Sequence, residues 1–212
     1  MARPGSNIEE ALLRSGRTLY ARLGGERLTV RMLTEHAGVN LGMFHYHFRT
    51  KDAFLRRLFD GMYEEMFAQL SGLAQQRGSV LQRLRSALFF LGCFVRDHRQ
   101  LLVRVFADAA AGQPVAAEFL RANAPRHLTL LLDLMDQGER AGVLAPIPPF
   151  QRFIFVMGAV AAPVLVAPGM QAIGVAPALL GPALRSQIMS DDAIAQRIEL
   201  ALKSLAAPRS RA

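Results

Sequence analysis

A chain of 212 residues holds one large or two small domains and enough apolar material for a substantial core. Hydrophobic residues make up 51%, and the single Cys93 excludes an intramolecular disulfide or a cysteine-based zinc site, which fits a reducing cytoplasm. The net charge of +8 points to a polyanionic partner without naming it; residues 1–60 and 61–212 each carry +4, so the density is higher in the shorter first segment.

The opening MARPGSNIEE has no apolar core and so no signal-peptide pattern. Its short arm, with Arg3, is expected to be loose or to lie along a nucleic acid. Ser6-Asn7-Ile8-Glu9 resembles a capping box, and Ile8, Leu12, Leu19 and Leu23 repeat at helical spacing until Gly24-Gly25 stops them.

The stretch Leu28 to Leu55 organises the rest. Thr29 is a good N-cap, and Met32, Leu33 and Ala37 give the next helix an apolar side. Gly38 supplies the left-handed backbone that ends it. Asn40 is a second N-cap, and Leu41 to His47 have room for about two turns. On that short helix Phe44, His47 and Phe48 share one side; Leu41, Gly42, His45 and Tyr46 share the other. The first side docks on the preceding helix. The second is left facing out, with a glycine and ring donors, which suits insertion into the major groove of DNA. Thr50 is a third N-cap, so Lys51 lies in the first turn of a longer helix. A cation there opposes the helix dipole by a few tenths to about 1 kcal/mol, and a DNA phosphate beside it would explain the choice.

Downstream, helices are expected from Lys51 to about Gln76, from Ser79 through Val95, and from Leu101 to Ala111. Another is expected over Val115 to Arg140, kinked or split at Pro125. Phe153 to Leu184 carries no formal charge, but Pro163, Pro168, Pro177 and Pro182 break it into pieces too short to span a bilayer. It reads instead as a buried helix from about Phe150 to Val166 and an apolar loop. A last helix begins at Asp191 or Asp192, and Pro208 opens a loose tail. No strand is expected; the fold class is all-α. An apolar helix followed by an amphipathic one suits a dimer face in a four-helix bundle.

No spacing recommends a catalytic triad, and no glycine-rich phosphate loop follows a strand, so neither an enzyme nor a cofactor is expected. His45 and His47, two apart, point nearly oppositely on a helix and suit no shared metal. Met62, Met66, Phe89, Cys93, Phe106, Met135 and Phe155 are adaptable or aromatic side chains on inward faces; they are ordinary core or the lining of an effector pocket. Asp108, Asp133 or Arg104 would supply a polar anchor there.

Ala37-Gly38-Val39-Asn40, Gly42, Phe44, Tyr46-His47-Phe48, Lys51 and Leu55 together resemble the DNA-binding domain of TetR-type transcriptional regulators, over roughly Ile8 to Leu58. His45 departs from the tyrosine usual at that position, which commonly sits on a phosphate. The resemblance implies a helix-turn-helix domain over residues 1–50 and an effector-binding, dimerising helical domain over 51–212. The helix from Lys51 would be the transmission element between them. The partners implied are double-stranded DNA with a palindromic operator, a second copy, and a small, mostly apolar effector. Thr29, His45 and Lys51 would hold phosphates; Leu41, Gly42 and Tyr46 would meet bases; Asn40 would cap the recognition helix, and Arg31 would join the DNA-facing set. Two other readings stay open on the residues alone: a helical small-molecule carrier or enzyme whose N-terminal domain mediates protein contacts, and a helical protein anchored to a membrane by residues 153–184.

Overall fold

The computed structural model describes residues 4–174 and 181–208, with side chains from residue 7 onward except at 171. The Arg3 arm, the Ser6 side chain, Pro177 and the tail beyond Pro208 lie outside the described residues.

Local chemistry sets the N-terminal helices. Helix α1 spans Pro4–Arg27 with a break at Gly24, whose φ of 74° is where the two-glycine stop was expected. Helix α2, Val30–Ala37, starts with the Thr29 hydroxyl accepting from the Met32 amide at 3.2 Å. It stops at Gly38, at φ 68° and ψ 31°. Helix α3, Leu41–Phe48, is capped by Asn40, whose Oδ1 accepts from the Met43 amide at 2.9 Å. Helix α4 runs over Lys51–Gln75, capped by the Thr50 hydroxyl on Ala53 N. Thr29, Asn40 and Thr50 therefore each satisfy one orphan donor of the helix they introduce.

The later elements are α5 (Val80–Ala110), α6 (Pro114–Arg140), α7 (Pro149–Val160), α8 (Ala162–Ala172), α9 (Gly181–Leu184) continuing as a π-helical turn over Arg185–Met189, and α10 (Asp191–Ser204). Among the described residues the one β contact is an isolated Leu144–Ala206 bridge, so the fold is all-α. Three sequence expectations need correction. The two helices expected over Ser79–Val95 and Leu101–Ala111 are one 31-residue helix, because nothing in the charged Arg96–Gln100 run breaks it. Helix α6 is not split at Pro125, which is exposed inside it. The apolar stretch is two helices bent by 45° rather than one helix to Val166 and a loop. Pro163 falls at the second position of α8, where a missing N–H costs nothing. Nor is this stretch wholly buried: Phe150, Ile154, Phe155, Val166 and Met170 are exposed. No single helix among the described residues is long and apolar enough to cross a membrane.

The contacts fall into two compact units. One comprises the N-terminal segment to Glu65 with Gln100–Ala124; the other comprises Met66–Arg99 with Pro125 onward. The first is cored by Phe44, Phe54, Phe59, Leu12, Leu28 and Leu58. In the second, α7 packs on α10. Arg152 is fully buried there: it donates to the Met135 carbonyl at 3.0 Å and the Ile147 carbonyl at 2.7 Å, and pairs with Glu139. Its guanidinium thus ties the C-terminal end of α6 to the following loop, where a cation meets the favourable end of the helix dipole.

Candidate nucleic-acid interface

Helix α3 is divided as its spacing requires. Phe44 and Phe48 are buried, and His47 is half-buried, with its Nε2 shielded and without a partner. Phe44 packs against Phe48 at 5.5 Å and Phe54 at 5.6 Å between ring centroids. This aromatic cluster holds the helix by its inner face. On the outer face Leu41, Gly42, His45 and Tyr46 are all exposed, with Leu41 at 51% and Tyr46 at 80%. Leu41 and Tyr46 thus share one exposed face with His45, as an interaction surface would present them. Thr29, Arg31 and Asn40 are exposed as well. Arg31 pairs with Glu35 at 2.7 Å, a contact that raises its pKa and that a competing phosphate would have to displace.

Lys51 departs from the expectation. It is half-buried, and its ammonium donates to the Gly25 carbonyl at 2.8 Å. The cation at the unfavourable end of α4 therefore has an internal partner, and its choice does not by itself demand a phosphate. Two of its three N–H donors remain for another acceptor.

The same corner contains a contact that no sequence spacing announces. Asp108 on α5 is buried, and its Oδ2 accepts both from the Tyr20 hydroxyl at 2.6 Å and from the Gly25 amide at 2.7 Å. With Lys51 on the Gly25 carbonyl, both polar groups of that peptide region are held. A cavity of 110 Å³ lined by Tyr20, Gly25, Lys51 and Asp108 adjoins them. Burial first, and the bond to Asp108 second, push the Tyr20 hydroxyl well above its ordinary pKa. A folded-state value raised above the unfolded one means that this contribution is complete below about pH 10 and is lost as pH rises from there. Unfolding free energies from urea titrations at increasing alkaline pH are expected to fall more steeply for the wild type than for Tyr20→Phe, by up to about 1.4 kcal/mol per pH unit.

The proposed effector residues divide. Met62, Met66 and Met135 are buried, and Phe89 and Cys93 are half-buried. Phe106 and Phe155 are not inward: they are 53% and 46% exposed. The buried face of α5 there runs through Leu101, Val105 and Asp108, and that of α7 through Arg152, Val156 and Val160, so both phenylalanines are rotated off it. None of the seven lines the three grooves described, of 540, 390 and 110 Å³. As polar anchors, Asp133 is exposed, and Asp108 is committed to Tyr20 and Gly25.

Comparison with known proteins agrees with this geometry. The model of bacterial regulatory proteins of the tetR family matches residues 12–58, which run from within α1 into α4. The HTH-type transcriptional repressor KstR2 of Mycobacterium tuberculosis is 25% identical over 138 residues, 64% of this chain and 68% of that protein. KstR2 of Mycolicibacterium smegmatis is 22% identical over 147 residues, 68% of this chain and 71% of that protein. The solved structure of the ketosteroid transcriptional regulator KstR2 of M. tuberculosis superposes with a TM-score of 0.71 at 18% identity, covering 94% of this chain and 95% of that one. A TetR family transcription regulator from Marinobacter aquaeolei VT8 gives 0.67 at 16%, covering 96% and 97%. At such identities the solved structures speak for the fold, and the likeness to the bacterial regulatory proteins of the tetR family rests on residues 12–58, the helix-turn-helix with its outward ring-bearing face.

Proposed function

We propose that the protein is a homodimeric repressor that sets α3 of each copy into successive major grooves of a palindromic operator, roughly 34–36 Å apart. The observation that carries this reading is the outer face of α3, bare at Leu41, Gly42, His45 and Tyr46 while Phe44 and Phe48 lock the inner one. In this reading residues 1–50 bind DNA and residues 51–212 bind the effector and dimerise. Leu41 meets a thymine methyl, Gly42 lets the backbone approach and Tyr46 reaches base edges. Thr29, Arg31 and the free donors of Lys51 hold phosphates, and Asn40 keeps α3 capped.

The second copy is supported by the exposed Phe150, Ile154 and Phe155 of α7 and Leu200 of α10. Helices α7 and α10 pack on each other, and two such pairs make a four-helix bundle. The effector is small and mostly apolar, with Met66, Phe89, Cys93 and Met135 as its candidate contacts, in keeping with the ketosteroid regulator among the relatives. It releases the operator only if it binds the non-DNA conformation more tightly.

Selection of duplexes from a random pool tests the reading. It is expected to return a palindrome with half-sites about one helical turn apart, bound more weakly as salt rises. Lys51→Ala is expected to weaken all sequences alike and to reduce the salt slope by about 1. Failure to enrich any duplex, or salt-insensitive binding, would contradict it.

A further inference from the structure

A single residue separates the end of α3 from the cap of α4, and its backbone is unusual. Arg49 sits at φ 61° and ψ −51°, the one non-glycine residue at positive φ among those described. Across it the Thr50 amide donates to the Phe48 carbonyl at 2.7 Å. This closes a three-residue γ-turn of the positive-φ kind, which is rare and strained. Such strain persists only where the surroundings over-determine it. Here they do: Phe48 before the turn packs on Phe54 after it at 5.0 Å, and Thr50 is bound into the first turn of α4. A glycine would adopt this conformation freely; an arginine does not.

The turn acts one helical turn back. It aims the Arg49 carbonyl at the His45 ring, whose Nδ1 lies 3.0 Å away. A carbonyl only accepts, so Nδ1 carries the proton. In a neutral imidazole the other nitrogen, Nε2, is then a bare acceptor. His45 is exposed on the outer face of α3 beside Tyr46. An acceptor lone pair repels a phosphate oxygen and takes a hydrogen bond from an N–H. In the major groove the donors are the exocyclic amines, N6 of adenine and N4 of cytosine. A tyrosine at this position would carry a hydroxyl able to donate to phosphate, which the neutral imidazole held in this way cannot do.

We propose that His45 is a base reader rather than a phosphate clamp. Its Nε2 accepts from an adenine or cytosine amine, and Arg49 is the positioning residue whose strained turn fixes the ring. The inference rests on the docking of α3 described above. Nitrogen-15 NMR of the free protein in alkaline buffer is expected to show His45 protonated at Nδ1; protonation at Nε2 would overturn the proposal. Duplex selection with the wild type is expected to fix adenine or cytosine at one symmetry-related pair of positions, and His45→Tyr to lose that preference alone. Replacing the chosen base by an analogue without the amine should weaken the wild type by about tenfold per half-site and leave His45→Tyr unchanged. Equal losses in both proteins would overturn the role of His45 while leaving α3 docking intact. Enrichment of no duplex by the wild type would overturn both. Arg49→Pro, with φ fixed near −65°, redirects the carbonyl and is expected to release the tautomer; a folded Arg49→Pro protein that stays protonated at Nδ1 would remove Arg49 from the account.

Discussion

Asp108→Ala is expected to lower the free energy of unfolding by about 3–5 kcal/mol. The change leaves two donors without a protein acceptor in a buried corner: the Tyr20 hydroxyl and the Gly25 amide, both now on Oδ2 at 2.6 and 2.7 Å. An unsatisfied buried donor costs about 1–3 kcal/mol, and the two losses fall at one site. The backbone beside Asp108 is closely packed: Gly24 is at φ 74°, and a Cβ there would meet Arg104 Cδ and Asp108 Oδ1 at 3.0 Å. Because both bonds end on one oxygen, Asp108→Asn keeps an acceptor for each and loses only the charge assistance, an expected cost of about 1 kcal/mol. Against a typical total of about 5–15 kcal/mol, the alanine loss is large enough to read directly from urea midpoints. Alanine and asparagine variants of equal stability would show that this corner contributes nothing of the kind.

The local parts of the fold were legible because local physics sets them. Thr29, Asn40 and Thr50 cap the helices that follow them, Gly38 ends α2, and the three-and-four spacing of α3 separates Phe44 and Phe48 from Leu41, His45 and Tyr46. What the sequence hides is contact across distance. Tyr20 and Asp108 are 88 residues apart, and an aspartate on an apolar helix reads as a ligand anchor until its partner is placed. Lys51 is the reverse case: its clash with the helix dipole was visible, but the Gly25 carbonyl that answers it is 26 residues away. Phe106 and Phe155 read as inward from the sequence, but the neighbours that choose the buried stripe of α5 and α7 rotate them out. Arg49 carries a local signal of its own. With only Arg49 and Thr50 between α3 and α4 the chain must turn sharply, and an arginine where glycine or asparagine would be easier is an anomaly of the kind Lys51 shows.

The most direct test of the central claim, that the outer face of α3 meets DNA, is Tyr46→Glu. At 80% exposure the tyrosine ring adds almost nothing to the core, so the substitution should leave stability within about 0.5 kcal/mol of the wild type. On the duplex it sets a carboxylate where the account has a ring against base edges, beneath two phosphate backbones. Like charges brought together at an interface cost several kcal/mol, which is on the order of 100-fold in affinity or more. The measurement is a fluorescence-anisotropy titration of the selected duplex with both proteins at one salt concentration, alongside their thermal melts. Unchanged melting with a loss of that size is the predicted result; equal affinity of the two proteins for the duplex would contradict the account.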